Sequence, residues 1–220
     1  MSGKAEPAGD RGAKGAATRA TEQVAIILSY HSELHRKFCN ACIKEAGVMK
    51  QYTGSLLGHC ETIECIEGFW PKNQGLGVLL FECSKECQKW LYSDPVFRAS
   101  DFLEQVEMYC VPLSVPLPQG YAVLSIMNLD VQFKEIFNGE YLKRHEDGVR
   151  SCQGIPCVAS TDKVQKVKGM RNPKYFIVDA WKCRQDFDAW YKAESETDSC
   201  ALRQQTASGE FILAELKRQI

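Results

Sequence analysis

His31, His35, Cys39 and Cys42 follow one another at roughly one-turn intervals in a stretch whose apolar residues, Leu34, Phe38, Cys42, Ala46 and Met49, recur at helical spacing. On a helix these four polar residues form one stripe. A neutral imidazole and a thiolate one turn apart can share a metal ion, and a histidine at a pocket mouth can serve as a base. The same stripe carries Phe38, Ala46 and Met49, so it is also the face that turns to the core, and no metal or cofactor is expected on it. His31, beside the strand end Tyr30, is the residue placed to move a proton.

A second group surrounds Pro95. Tyr92 and Arg98 offer a phenol and a guanidinium near a helix break, where they could orient a carboxylate or an enolate. His31, Tyr92 and Arg98 therefore form the candidate catalytic set. Tyr30, His35, His59, Trp90 and Trp190 are expected to line its pocket. The competing structural reading has Tyr92 bonded locally, Arg98 paired with Asp94 or Asp101, and both tryptophans as core anchors. His59 and Glu61 fall on one face of a predicted strand, as an acid–base pair or as a solvated rim pair. Glu140 and Arg144 are an i, i+4 pair in helical phase with Phe133 and Phe137.

The elements that would hold these groups occur twice. A strand Val24–Tyr30 leads into a helix His31–Met49, a strand His59–Glu67, a turn at Gly68–Pro71, a strand Leu76–Cys83, a helix from Ser84 and a strand Val106–Leu113. After Ser114–Gln119 the order returns: strand Tyr121–Met127, a helix from Asp130 to Val149, strand Pro156–Val167, a turn Gly169–Pro173, strand Tyr175–Trp181, helix Arg184–Gln205 and strand Glu210–Leu216. At an offset of one hundred Val78 falls on Val178, Phe81 on Trp181, Cys83 on Cys183 and Trp90 on Trp190. Shared order and shared anchors indicate two tandem copies of one module. The predicted organisation is a disordered tail over 1–21, modules over 22–113 and 120–220, and a linker over 114–119. That linker is short and apolar, so the modules should pack together.

The fold class is α+β: two ferredoxin-like βαββαβ modules with antiparallel sheets. Each four-stranded sheet has helices on one face only, and stacking the open faces closes a barrel-like pair with internal space. Within the first half, Glu67-Gly68, the strand end Leu80-Phe81-Glu82 and the stretch Trp90 to Arg98 resemble the thirteen-thirty domain-of-unknown-function family. The resemblance covers about 90 residues and implies a dimeric α/β barrel, formed here within one chain. It implies no settled activity, since relatives range from cofactor-independent monooxygenases and cyclases to haem-degrading enzymes and plain ligand binders. In the second half Ala193-Glu194-Ser195-Glu196 replaces the Ser-Asp-Pro-Val segment, so any pocket is expected first in residues 24–113.

Composition narrows the partners. With 27 Lys plus Arg against 28 Asp plus Glu, the net charge is -1, and a nucleic-acid partner is not expected. Apolar runs are strand-sized, so no membrane span is expected, and the first twenty residues lack a secretory h-region, which predicts a cytoplasmic protein. The eleven cysteines show no paired zinc-type spacing and are read as inert and free. The glycine-rich phosphate motifs, H-E-x-x-H and G-x-S-x-G are missing from the sequence, so nucleotide, zinc-protease and hydrolase-elbow chemistry are not expected. What remains is a non-catalytic binding or scaffold protein for a small apolar ligand, as a pseudo-dimeric monomer or a homodimer. The alternative is a cofactor-independent cyclase, isomerase or monooxygenase acting on an apolar carbonyl or polyphenolic substrate.

Overall fold

The computed structural model describes residues 23–93, 106–117, 120–160 and 163–218. The tail over 1–21, Arg98 and the segment around Pro95 lie outside the described residues.

The first half runs β1 (Val24–His31), a 3-10 turn (Ser32–Leu34), α1 (His35–Gln51), β2 (Ser55–Cys60), β3 (Glu64–Glu67), β4 (Gln74–Phe81), α2 (Ser84–Ser93) and β5 (Val106–Pro112). The second runs β6 (Val123–Val131), α3, β7 (Ile155–Ser160), β8 (Gln165–Lys168), β9 (Tyr175–Trp181), α4 (Arg184–Ser195), α5 (Asp198–Thr206) and β10 (Ala207–Glu215). Helix α3 joins Lys134–Ile136 to Leu142–Ser151 through a π turn, Phe137–Tyr141.

Two antiparallel five-stranded sheets result, ordered β2-β4-β1-β5-β8 and β7-β9-β6-β10-β3. The expected four-stranded sheets are thus each extended by a strand from the other half. The predicted strand His59–Glu67 is in fact two strands, and so is Pro156–Val167. In each case the chain leaves one sheet at an edge and pairs with the outermost strand of the other: β3 with β10, and β8 with β5. Strand-by-strand periodicity could not show this, because both pieces have strand-like composition and only pairing tells them apart. The bulges match as well, lying between Leu56 and Gly58 in β2 and between Pro156 and Val158 in β7.

Period-2 alternation builds the layers. In β1, Ala25 and Ile27 face the opposing sheet, while Val24, Ile26, Leu28 and Tyr30 face α1 and α2. A strand covered on both faces needs apolar residues throughout, which explains the unbroken run. Residues of both halves interdigitate between the sheets, among them Leu76, Val111, Leu124, Val178 and Ile212. The expected internal space is therefore mostly filled, and the void left there measures about 20 Å³. On the outer faces Trp90 packs on Phe81 and Trp190 on Trp181, at centroid distances of 5.2 and 5.4 Å.

Three helix boundaries differ from the sequence reading. His31 ends β1 instead of opening the helix, and its ring accepts from the Glu33 amide. Asp130 lies inside β6 and caps nothing; the helix begins at Lys134. The single helix expected over 184–205 is broken at Thr197, whose hydroxyl caps α5.

Gly68 follows β3 with a φ of +78°, and a Cβ there would run into the Gly209 carbonyl of β10. Strain in that region costs a side-chain-bearing residue about 1–3 kcal/mol, and overlap adds to it. Gly68→Ala should lower unfolding free energy by about 2 kcal/mol or more. Gly120→Ala, at φ +105° with nothing within 4 Å of the added carbon, should cost less. Equal losses for the two in urea unfolding would refute a tight β3–β10 junction.

Candidate functional site

The most extensive buried polar constellation among the described residues lies in the second half, not in residues 24–113. It begins on β9, an otherwise apolar strand that carries Asp179 on its helix-facing side, fully buried. Directly opposite on β6 is Ser125, whose hydroxyl donates to Asp179 Oδ2 at 3.2 Å and accepts from Trp181 Nε1 at 3.0 Å. From α3, His145 brings Nε2 to 3.2 Å from Asp179 Oδ1, and its Nδ1 lies 3.3 Å from the Tyr141 hydroxyl one turn earlier. Tyr141 donates to Glu194 Oε1 on α4 at 3.2 Å, and Arg203 Nε on α5 donates to the same oxygen at 3.3 Å. The two Arg203 Nη groups reach Glu67 Oε1 and Oε2 of β3 at 2.7 and 2.8 Å, and Tyr191 donates to Glu67 as well. The chain of bonds thus runs from Trp181 to a residue of the first half.

Neighbouring charges and burial pull the protonation of these groups in defined directions. Burial alone would lower the His145 pKa, but the Asp179 carboxylate, with Glu194 behind it, outweighs burial and raises it above 6.5. An imidazolium donates from both nitrogens, to Asp179 and to Tyr141, which leaves the Tyr141 proton for Glu194. Burial pushes the Glu194 carboxyl up, against the opposing pull of His145 and Arg203. Arg203 holds the Glu67 carboxylate below its ordinary range. Burial, then Glu194, raises the Tyr141 phenol, so it stays protonated.

Ser125, Asp179 and His145 are the residue types of a nucleophilic triad in an order that prevents one. Here Asp179 is central, and Ser125 bonds to the acid instead of the base. Both ring nitrogens of His145 are occupied by protein groups, so it cannot abstract a substrate proton in this arrangement.

Above this network, between α3 and α4, is a cleft of about 170 Å³ whose walls include His145, Trp190 and Glu194, with Arg144, Cys152 and Thr197 around it. Glu194 Oε2 is buried and has no hydrogen-bond partner among the described residues. Gly148 opens the floor, because a Cβ there would meet Trp190 Nε1 at 3.3 Å.

The residues singled out from sequence divide. Tyr30, His35 and His59 do converge in the first half: Tyr30 OH lies 3.1 Å from His35 Nδ1, and the His35 and His59 ring centroids are 5.0 Å apart. Cys39 sits with them, its Sγ 3.6 Å from His35 Nε2 and 3.9 Å from His59 Nδ1. Burial, followed by the neighbouring His59, lowers the His35 pKa. Cys42 is buried, which pushes its thiol up to about 12. His31 points to the surface side of the strand end, 3.6 Å from Glu33. Tyr92 is 75% exposed at the end of α2. Glu61 lies past the end of β2 and is exposed, so the expected His59–Glu61 strand pair is not formed. Glu140 and Arg144 are both exposed, the ordinary surface placement of an i, i+4 pair. Trp90 and Trp190 are core anchors, and Trp190 also borders the cleft. All eleven cysteines are free.

At one end of the barrel Arg171 forms a bidentate pair with Glu210, at 2.6 and 3.1 Å, and lies 4.6 Å from the Trp70 ring centroid. Trp70 closes off the small void between the sheets, with a shallow depression of about 290 Å³ outside it.

No protein-family model and no curated protein sequence matches this chain. Solved structures do. A haem-binding protein from Thermus thermophilus is 10% identical, with a TM-score of 0.51 over 88% of this chain and 90% of that one. A variant of chlorite dismutase from Candidatus Nitrospira defluvii is 7% identical, with a TM-score of 0.51 over 90% and 91% of the two chains. The chain has the dimeric α/β-barrel fold, closed within one polypeptide. No helix among the described residues is long and apolar enough to cross a membrane.

The His145–Asp179 pair gives a signed pH dependence. A raised His145 pKa contributes stability that is full below 6.5 and lost as pH climbs through the folded value. The raised Glu194 pKa has the same sign, its contribution full below 4.5 and lost as pH rises through its own folded value. Unfolding free energy should fall above pH 6.5, by at most about 1.4 kcal/mol per pH unit for His145. In Asp179→Asn, burial is left to lower the His145 pKa, and that decline should vanish. A slope unchanged by the substitution would show that the pair does not govern it.

Proposed function

We propose that this chain is a non-catalytic binding protein that holds a small amine-bearing molecule in the cleft between α3 and α4. The observation that carries this reading is the buried Glu194 Oε2, without a partner among the described residues, beside that cleft. An unsatisfied buried acceptor costs about 1–3 kcal/mol, and more when charged, so an N–H or ammonium donor entering the cleft would complete the network. Net charge points the same way. Three acidic side chains, Asp179, Glu194 and Glu67, stand beside two basic ones, Arg203 and His145, so an ionised Glu194 would leave the group one negative charge in excess. Burial favours a proton on Glu194, and an ammonium in the cleft would take that proton's place and balance the carboxylate. Arg144 at the rim offers a place for a carboxylate on the same ligand, and a cleft of about 170 Å³ suits a molecule of amino-acid size. The small apolar ligand expected from sequence finds little support: the space between the sheets is filled, and the cleft is polar on the side of Glu194.

A catalytic reading is not favoured. Of the expected catalytic set, His31 stands half-exposed at the end of β1 and Tyr92 exposed at the end of α2, while Arg98 lies outside the described residues; His145 has no ring nitrogen left for a substrate. Haem, which the Thermus protein binds by its description, gains no support from the depressions formed by the described residues. Haem iron needs a histidine, cysteine or tyrosine facing a slot large enough for the macrocycle. Two depressions among the described residues, of about 480 and 290 Å³, are lined by none of these. The likeness of the first half to the thirteen-thirty family adds only that barrels of this kind include plain ligand binders.

Calorimetric titration with a panel of small amines, amino acids and simple carboxylates tests the proposal. Amines and amino acids should bind, more tightly as pH rises and Glu194 loses its proton, whereas carboxylates lacking an amine should not. Glu194→Gln should weaken binding about tenfold or more, since the charge-assisted bond is lost. No binding across the amine panel, or full affinity in the variant, would overturn it.

A further inference from the structure

We propose that His35, Cys39 and His59 form a binding site for a single tetrahedral transition-metal ion of the zinc class, separate from the second-half cleft. Their ligand atoms all lie within 4.8 Å of one another. A zinc ion bound at about 2.3 Å to sulfur and 2.0–2.1 Å to nitrogen with tetrahedral angles separates sulfur from nitrogen by about 3.6 Å. Cys39 Sγ stands 3.6 Å from His35 Nε2 and 3.9 Å from His59 Nδ1. Both sulfur–nitrogen separations are thus at or close to that value, and the two imidazole nitrogens lie within 4.8 Å of each other.

The surroundings fix the donors. His35 and Cys39 occupy consecutive turns at the start of α1, so one helix face carries both. His59 comes from β2, and its main chain is pinned to Lys217 by two backbone hydrogen bonds of 2.8 and 2.7 Å. Tyr30 sets the His35 tautomer. Its hydroxyl has one proton, and the carbonyls of Leu76 and Cys60, at 3.2 and 3.4 Å, can only accept it. Tyr30 therefore accepts from His35 Nδ1–H, which turns the Nε2 lone pair toward Cys39. This is the outer-shell arrangement that orients a metal-bound imidazole. Two nitrogens and one thiolate suit a borderline ion, and the fourth position is left to water. His35 and Cys39 are half-buried, so an ion can enter from solvent.

The test uses the full chain, reduced and stripped with chelator, then titrated with Co²⁺ and afterwards Zn²⁺. One Co²⁺ per chain should produce tetrahedral ligand-field bands and a single thiolate-to-cobalt charge-transfer band, both bleached by one equivalent of Zn²⁺. Cys39→Ser should abolish the charge-transfer band and weaken Zn²⁺ binding at least tenfold, whereas Cys42→Ser should keep both. Absence of the tetrahedral spectrum, or its survival in Cys39→Ser, overturns the proposal. Should Cys39→Ser fail to fold, X-ray absorption of the zinc-loaded wild type decides. A shell of one sulfur with two imidazole nitrogens upholds the site, and a shell of two or more sulfurs, or of oxygens alone, refutes it.

Discussion

Each sheet of this protein ends in a strand supplied by the other half, and that reciprocal exchange constrains nearly everything else. A βαββαβ unit alone leaves its β5 or β10 edge with unpaired backbone groups and its inner face bare. Here β8 covers the first edge and β3 the second, while the inner faces close on each other. The crossing strands are only four residues long, so the backbone bonds they add are few. Side chains reinforce them: Glu64 pairs with Arg184, Glu67 with Arg203, and Glu107 accepts from the amides of Met170 and Arg171. The last of these explains Gly169, where a side chain would collide with Glu107.

Because β3 belongs to the first half, so does one terminus of the second half's polar network. Arg203 is buried, and its permanent charge would be costly there without Glu67 and Glu194 beside it. Burying such a pair costs several kcal/mol per ion in desolvation, repaid only by good geometry, so the network contributes more to specificity of packing than to net stability. Every residue lining the cleft lies in the second half, and the first half reaches it only through Glu67, by way of Arg203 and Glu194.

Much of this was legible in the sequence, and the reasons for the rest are local. Repetition of element order and the Trp90–Trp190 and Phe81–Trp181 anchors reveal the doubled frame, because large apolar side chains are fixed by burial and burial leaves a periodic trace. Strand exchange leaves none: residues 59–67 read as one strand whether or not the chain changes sheet at 61–63. The cluster of Tyr30, His35 and His59 was visible as residue types, yet its grouping with Cys39 depends on β2 passing beside α1. Asp179 was there to be noticed as a carboxylate in the middle of an apolar strand. Its partners were not, since Ser125, His145 and Glu194 sit on three different elements and no spacing links them.

The comparison of equivalent positions shows why the two halves carry different chemistry. The frame places Leu79 where the second half has Asp179, Ala41 where it has Tyr141, and Glu45 where it has His145. Around Leu79 a carboxylate would have no imidazole to pair with, and it would bear the full penalty of a buried charge. The reverse holds near Tyr30 and His35, for the second half has Leu129 at the end of β6 and no histidine at the start of α3. Among the described residues the first half groups Tyr30, His35, Cys39 and His59, and the second groups Ser125, Tyr141, His145, Asp179 and Glu194, with Glu194 Oε2 the oxygen its own network leaves unfilled. A single substitution in either group would leave further charges or donors that the apolar remainder cannot satisfy.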